Sequence, residues 1–214
     1  MNFELKKLIR KEMKSSLTSF HASLTPKEKQ ALSESILLKV TSLEEYKNAL
    51  NVFAYIPDVL EADCTPVILD ALKKGKKVFV PKVNAVLLKQ GISEMDFYLL
   101  EPEKSLESQL AAGTYGIKEP QEGLKKFEFS EEAAAAGHFE CGSFFMLVPG
   151  VAFSTRGKRL GHGKGFYDIY IEKLKKAGIK PYLCGIALPC QIISDIPTEE
   201  HDILMNKVIV PGNN

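Results

Sequence analysis

The chain lacks what marks an extracellular, membrane-spanning or strongly charged protein. Its four cysteines, Cys64, Cys141, Cys184 and Cys190, include no CxxC pair and no neighbouring ligand histidine. That argues against a zinc site and a disulfide framework and leaves reduced, buried thiols as the expectation. Long apolar runs are missing too. The first residues, MNFELKKLIRKEMKSSL, carry charges every second or third position, unlike a secretory leader, and no later stretch is long enough to cross a bilayer. A cytoplasmic protein is expected. Nor is there a charge excess, with 28 Lys plus Arg against 27 Asp plus Glu. General attraction to nucleic acid or to an anionic membrane is therefore not expected, and any cationic site is local. With no internal repeat or linker, residues 1–214 read as a single domain large enough for a real core.

What the chain does have is an alternation of helix and strand signals. Leu5, Leu8, Ile9, Met13 and Phe20 recur at helical spacing, predicting an N-terminal amphipathic helix with Lys6, Lys7, Arg10 and Lys11 near or beside its wet face. Thr25, Pro26 and Glu28 supply a cap, an N1 proline and a capping-box glutamate for a second helix. NVFAYIP (51–57), KVFVP (77–81), MDFYLL (95–100), SFFMLVPG (143–150) and YLCGIAL (182–188) are short, apolar and rich in β-branched or aromatic residues, as buried strands are. Thr65-Pro66 and Gly75 bound one intervening helix. Tyr167, Tyr170, Ile171 and Leu174 mark another, at i, i+3, i+4 and i+7, that ends near Gly178. The order predicts an α/β, three-layer, Rossmann-like fold: a mainly parallel sheet flanked by helices, with the amphipathic helix at its N-terminus. Residues 101–142 are the least regular, and EEAAAAG within them reads as a short helix or a loop.

One stretch carries chemistry: GKRLGHGKGFYD, residues 157–168, between the strand at 143–150 and the next helix. Gly161, Gly163 and Gly165 let the main chain approach a ligand closely. The helix N-terminus behind them favours an anion. Arg159 offers a bidentate fork for phosphate oxygens, and Lys164 a compact, movable charge. The stretch is not a Walker A loop, because Gly165 stands where Ser or Thr belongs. Beside phosphates, Asp168 suits a Mg²⁺ ligand better than a simple partner of the helix dipole. Asp202 follows the next predicted strand and can reach the same sheet edge, although alone it reads as a surface acid.

LVPGVAFSTRGKRLGHGKGFYD resembles the signature of the 5-formyltetrahydrofolate cyclo-ligase family. The resemblance runs along nearly the whole chain, through Lys6 and Arg10, YIPDVLEADCTPVI, VFVPKV, MDFY, YGIKEP and HDILMNKVIVP. It implies an enzyme that closes 5-formyltetrahydrofolate to 5,10-methenyltetrahydrofolate with ATP and Mg²⁺, by phosphorylating the formyl oxygen and closing the ring through N10. It further implies that the triphosphate lies on Arg159, Leu160, Gly161, His162, Gly163, Lys164, Gly165, Phe166 and Tyr167, helped by Lys6 and Arg10. Lys164 follows the transferred phosphoryl group, Arg159 clamps phosphate, and Asp168 and Asp202 hold the metal. The folate meets Glu61, Tyr55 and the residues His162 to Phe166. Without the resemblance, Glu61 is a solvated loop acid, Lys6 and Arg10 are a wet helix face, and His162 is loop scaffolding; His21, His138 and His201 receive no role. The chain departs from the family at Ser154, His162, Phe166 and Asn206, the last leaving one fewer carboxylate near the metal. A monomer is expected. Two other readings stay open: a phosphotransferase on another acceptor, and a non-catalytic folate- or nucleotide-binding module.

Overall fold

Strand residues that point alternately up and down build the centre of the molecule. Val52, Ala54, Val78, Val80, Phe145, Leu147, Cys184 and Ile186 enter one apolar cluster, while Phe53, Phe79, Phe144, Met146, Val148 and Leu183 enter a second. Because both sets are buried, the sheet must be covered on both faces. The computed structural model describes residues 2–129, 143–199 and 202–212. EEAAAAG, His138, Cys141 and His201 lie outside the described residues.

In chain order the first elements are α1 (Asn2–Ser23), α2 (Pro26–Thr41), α3 (Glu44–Asn48), β1 (Asn51–Phe53), α4 (Thr65–Lys73), β2 (Lys77–Val83), α5 (Ala85–Lys89) and β3 (Met95–Leu99). There follow β4 (Leu110–Ala112), β5 (Lys118–Pro120), β6 (Phe144–Val148), β7 (Ala152–Phe153), β8 (Arg159–Leu160), α6 (Phe166–Lys176), β9 (Tyr182–Ile186) and β10 (Lys207–Ile209). The main sheet has six strands in the order β10-β9-β6-β1-β2-β3. Its pairs are parallel except β2 with β3. Helices α2, α3 and α4 cover one face with Ile36, Val40, Tyr46, Val67, Ile68 and Ala71; α6 covers the other with Tyr170, Ile171 and Leu174. The three layers and the mainly parallel sheet are those expected.

Strand order reverses between β1 and β6. From there β2 and β3 extend to one side, β9 and β10 to the other. Such a reversal opens a crevice beyond the carboxyl ends of the two central strands, where doubly wound proteins bind ligands. Aromatic packing holds β1 in place: the Phe53 ring lies 5.2, 5.1 and 5.1 Å from those of Phe79, Phe97 and Phe127. Each such pair adds roughly 0.5–1.5 kcal/mol beyond burial.

Local signals behave as expected where they are strong. The Thr25 hydroxyl accepts the Glu28 N–H, and the Glu28 carboxylate accepts the Thr25 N–H, so α2 opens with the capping box. Helix α1 forms, but its inward face differs from the predicted stripe. Leu5 and Leu8 are exposed, whereas Lys6, Met13 and Leu17 are buried. The apolar stripe governs the last turns, which meet the core; the first turns overlie polar loops, and there the inward position goes to a cation. Two hairpins, β4 with β5 and β7 with β8, carry too few residues for a periodic signal and were not foreseen. Among the described residues no helix is long and apolar enough to cross a membrane. Cys64 and Cys184 are buried thiols, and Cys190 is partly buried.

Candidate functional site

The chain leaves β6 at the strand reversal and turns at Pro149-Gly150 into the β7–β8 hairpin, pairing Ala152 with Leu160 and Phe153 with Arg159. Ser154 is fully buried and closes the hairpin turn. Its N–H donates to the Lys158 carbonyl at 3.0 Å and its hydroxyl accepts the Lys158 N–H at 3.2 Å. Gly157 has φ 81°, and a Cβ there would stand 2.5 Å from the Met205 carbonyl oxygen. The absent side chain lets the Met205 N–H reach the Gly157 carbonyl at 2.8 Å, joining the segment that carries Asp202 to this hairpin.

Beyond β8 the loop reaches α6 through Gly163 at φ 93° and Gly165 at φ 70°. Gly165 is the helix N-cap, and no side chain caps the first turn. Its first-turn N–H groups have no intrahelical acceptor, the property that lets helix N-termini bind anions.

The cations of this region divide by direction. Lys6 is 9% exposed, and its ammonium donates to the Asp202 carboxylate at 2.7 Å with Glu199 3.7 Å away. Arg10, one turn on, donates from Nε to the Gly161 carbonyl at 2.9 Å. Burial pushes the Arg10 pKa down, and the charge of Asp202 acts against that shift. Arg10 therefore faces the glycine loop and Lys6 the segment that carries Glu199 and Asp202, correcting their placement near the wet face of α1. Arg159 has a side chain only 5% exposed; it donates to the Pro149 carbonyl at 3.2 Å and to Asp168 at 2.6 Å, and lies 5.9 Å over the Tyr167 ring. Lys164 and His162 project outward. Lys164 makes no hydrogen bond or ion pair among the described residues.

Opposite this loop stands the segment after β1. The Asp58 carboxylate accepts the Leu60 and Glu61 N–H groups at 2.7 and 2.9 Å, and Glu61 Oε2 accepts the Asp58 N–H at 3.1 Å. This turn fixes Glu61, whose side chain is 11% exposed, with Oε1 3.8 Å from His162 Nε2. The carboxylate draws the His162 pKa upward. At that distance, with the imidazole 65% exposed, the contact is a loose ion pair spanning the crevice. Asp58, Leu60, Glu61, His162, Arg10 and Lys14 are among the residues lining a cleft of about 340 Å³.

Thus the structure brings Arg10, Glu61 and His162 to one cleft. Lys6, Arg159, Leu160 and Tyr55 turn into the protein instead. Leu160 is buried, and the Tyr55 hydroxyl donates to the Ala62 carbonyl at 2.6 Å. Phe166 is half-buried against the second core cluster. Asn206 works away from the metal side: its side-chain oxygen accepts the Leu183 N–H at 2.7 Å near the start of β9. Lys14, Asp58 and Leu60 were missed as cleft residues; the spacing of Lys6, Arg10 and Lys14 at i, i+4 and i+8 was the available signal for the first.

A doubly wound α/β sheet, with a glycine loop before an uncapped helix and a carboxylate across a cleft at the strand reversal, defines the fold class of the protein. The chain belongs to the 5-formyltetrahydrofolate cyclo-ligase family, which it matches over residues 2–211. It is 29% identical to a Mus musculus 5-formyltetrahydrofolate cyclo-ligase, covering 95% of this chain and 92% of that one. The NMR structure of an Aquifex aeolicus 5,10-methenyltetrahydrofolate synthetase superposes with a TM-score of 0.69 at 30% identity, covering 98% of this chain and 91% of that one. A Mycoplasma pneumoniae 5,10-methenyltetrahydrofolate synthetase shares the fold at a TM-score of 0.63, with 23% identity and coverage of 95% and 97%.

Proposed function

We propose that the protein converts 5-formyltetrahydrofolate to 5,10-methenyltetrahydrofolate with consumption of ATP. The observation that carries this reading is that the glycine loop and Glu61 face each other across one crevice, joined at 3.8 Å through His162. The loop side suits phosphate and the Glu61 side suits the adjacent N–H donors of a pterin. Family membership supplies the chemistry that joins them.

The formyl oxygen of an amide is a poor leaving group, so it must first be phosphorylated. It attacks the γ-phosphorus, ADP departs, and N5 gains iminium character. N10 then adds to the activated carbon and loses its proton; the C–O bond breaks, and phosphate leaves with the electron pair. No protein nucleophile is required, and the chain's work is positioning and charge stabilisation. Lys164, outward and without a partner among the described residues, accompanies the transferred phosphoryl group. The first-turn N–H groups of α6 hold phosphate oxygens. Arg159 acts from beneath, setting the loop through Pro149 and Asp168, and Arg10 fixes the loop at Gly161. Glu61 orients the pterin.

Magnesium fits this arrangement as an ion that arrives with the nucleotide. No group of three His, Cys, Asp or Glu able to cage a metal occurs among the described residues, and Mg²⁺ commonly takes one or two carboxylates plus phosphate oxygens. Asp168 and Asp202 are the carboxylates we assign to it, each now balanced by a cation, Arg159 and Lys6. When bound, the ion neutralises charge on the phosphates. A cytoplasmic monomer remains part of this proposal.

The test is direct. With 5-formyltetrahydrofolate, ATP and Mg²⁺, the purified protein is expected to release ADP and generate the near-ultraviolet absorbance of the methenyl product. Absence of both sinks the reading; ADP release with a different acceptor alone points to a phosphotransferase.

A further inference from the structure

Gln191 lines the cleft and is only 1% exposed. It ends the turn Pro189–Gln191 that follows β9. Its side-chain carbonyl accepts the Leu188 N–H of that turn at 2.7 Å. Its amide nitrogen crosses to the exit of β6, the parallel neighbour of β9, and donates to the Gly150 carbonyl at 2.6 Å and the Val151 carbonyl at 3.2 Å. One acceptor and two donors are used at once, and among side chains of this length only a neutral amide supplies both. A carboxylate would set negative charge against two carbonyl oxygens. An apolar chain would strand the three backbone groups it replaces partners for, at the cost that buried unpaired groups carry.

The strand exit that Gln191 holds is also the seat of the glycine loop. Arg159 Nη1 donates to the Pro149 carbonyl at 3.2 Å, so the carbonyls of Pro149, Gly150 and Val151 each accept a side-chain donor. Gly150 lies directly against the Arg159 stem: a Cβ there would stand 3.1 Å from Arg159 Cγ and 2.7 Å from the Phe153 ring. At its far end Arg159 supports Gly161, where a Cβ would stand 3.0 Å from Nη1. Gln191, Gly150, Arg159 and Gly161 thus form one line of contacts from the turn after β9 to the glycine loop. Gly150 and Val151 line the same cleft as Glu61 and His162.

We propose that Gln191 is a positioning residue for the reaction: by fixing the Gly150 and Val151 carbonyls it seats Arg159 under the glycine loop and sets that loop against the folate side of the cleft. Its effect is transmitted through Gly150 and Arg159. This rests on the substrate reading given above. A misplacement of about 1 Å between reacting groups costs about a hundredfold in rate. The loss of the amide is therefore expected in kcat more than in KM.

Gln191→Glu keeps the shape and exchanges the amide for a carboxyl group that donates only when protonated. Burial and two facing carbonyls favour its protonated form. Relative to the parent, kcat per folded molecule is expected to fall about a hundredfold near pH 8 and to recover about tenfold near pH 6, with both KM values within about threefold. The charged groups lining the cleft, Arg10, Lys14, Asp58, Glu61 and His162, are common to parent and variant, so the ratio of the two isolates position 191. Gln191→Met, which cannot donate at any pH, is expected to show the same loss without recovery in acid. A residue serving stability alone would lower the melting temperature and leave kcat per folded molecule intact, and that result overturns the proposal. A loss in Gln191→Glu that acid does not relieve overturns it too, as does failure of both variants to fold. If Gln191→Glu alone does not fold, kcat of folded Gln191→Met decides, a loss supporting the proposal and parity overturning it. Should the parent turn over and the variants match it, this proposal alone fails. A parent chain that neither turns over nor binds 5-formyltetrahydrofolate by calorimetry strikes the substrate reading.

Discussion

The two ends of the glycine-loop region use the same residue types for opposite purposes. At its base, Lys6, Arg10 and Arg159 are turned inward, and each meets a protein acceptor: Asp202, the Gly161 carbonyl, and Asp168 with the Pro149 carbonyl. At its tip, His162 and Lys164 are exposed, the first loosely paired and the second unpaired among the described residues. A cation without water must have a partner, so the base cations build the loop. Those at the tip retain the freedom to meet a ligand. Residue type alone does not separate the two sets; burial does.

The sharpest way to break this comparison is at the tip. Lys164→Ala is expected to lower kcat about a thousandfold, in line with the loss of a charge that stabilises a phosphoryl transition state. Melting temperature and folate binding remain near those of the parent. A variant that instead loses stability and keeps its turnover would place Lys164 with the base cations.

Arg159→Ala attacks the base. It strands Asp168 and uncovers the Tyr167 ring, and breaking a buried pair of this kind costs about 3 kcal/mol. The expected result is a clear fall in the urea midpoint, with activity falling alongside. Loss of activity at full stability would show Arg159 to be a ligand-facing clamp after all.

The smallest effect is expected at His162 and depends on pH. Glu61 raises the pKa of folded His162 above its ordinary 6.5. The stabilisation from their contact is therefore complete below about 6.5 and disappears as pH climbs through the raised value. His162→Gln should lower the melting temperature slightly in mild acid and leave it unchanged in alkaline buffer. Exposure of the imidazole keeps the difference small. A difference that grows with pH would contradict the pairing.

Much of the fold was legible because its signals are local. The capping box at Thr25 and Glu28, the Thr65-Pro66 helix start and the period-two strands each depend on neighbours a few residues away. The β7–β8 hairpin escaped notice because strands of two residues carry no period, yet it is this hairpin that presents Arg159. Leu5 and Leu8 misled for a related reason: helical spacing identifies an apolar stripe without saying which part of a helix meets core and which overlies charged loops. The reassignment of Asn206 to a backbone acceptor also needed the structure, since Leu183 is its partner only through the pairing of β9 with β10.

By itself, then, the sequence determined the class of fold, the glycine loop before an uncapped helix and the family, because short-range periodicity, backbone freedom and motif spacing are properties of consecutive residues. The three-dimensional structure alone decided which cations are structural and which are available, and it brought Glu61 opposite His162. Those outcomes depend on contacts such as that of Lys6 with Asp202, separated by 196 positions in the chain, and on the solvent exclusion that forces a buried charge to find its partner.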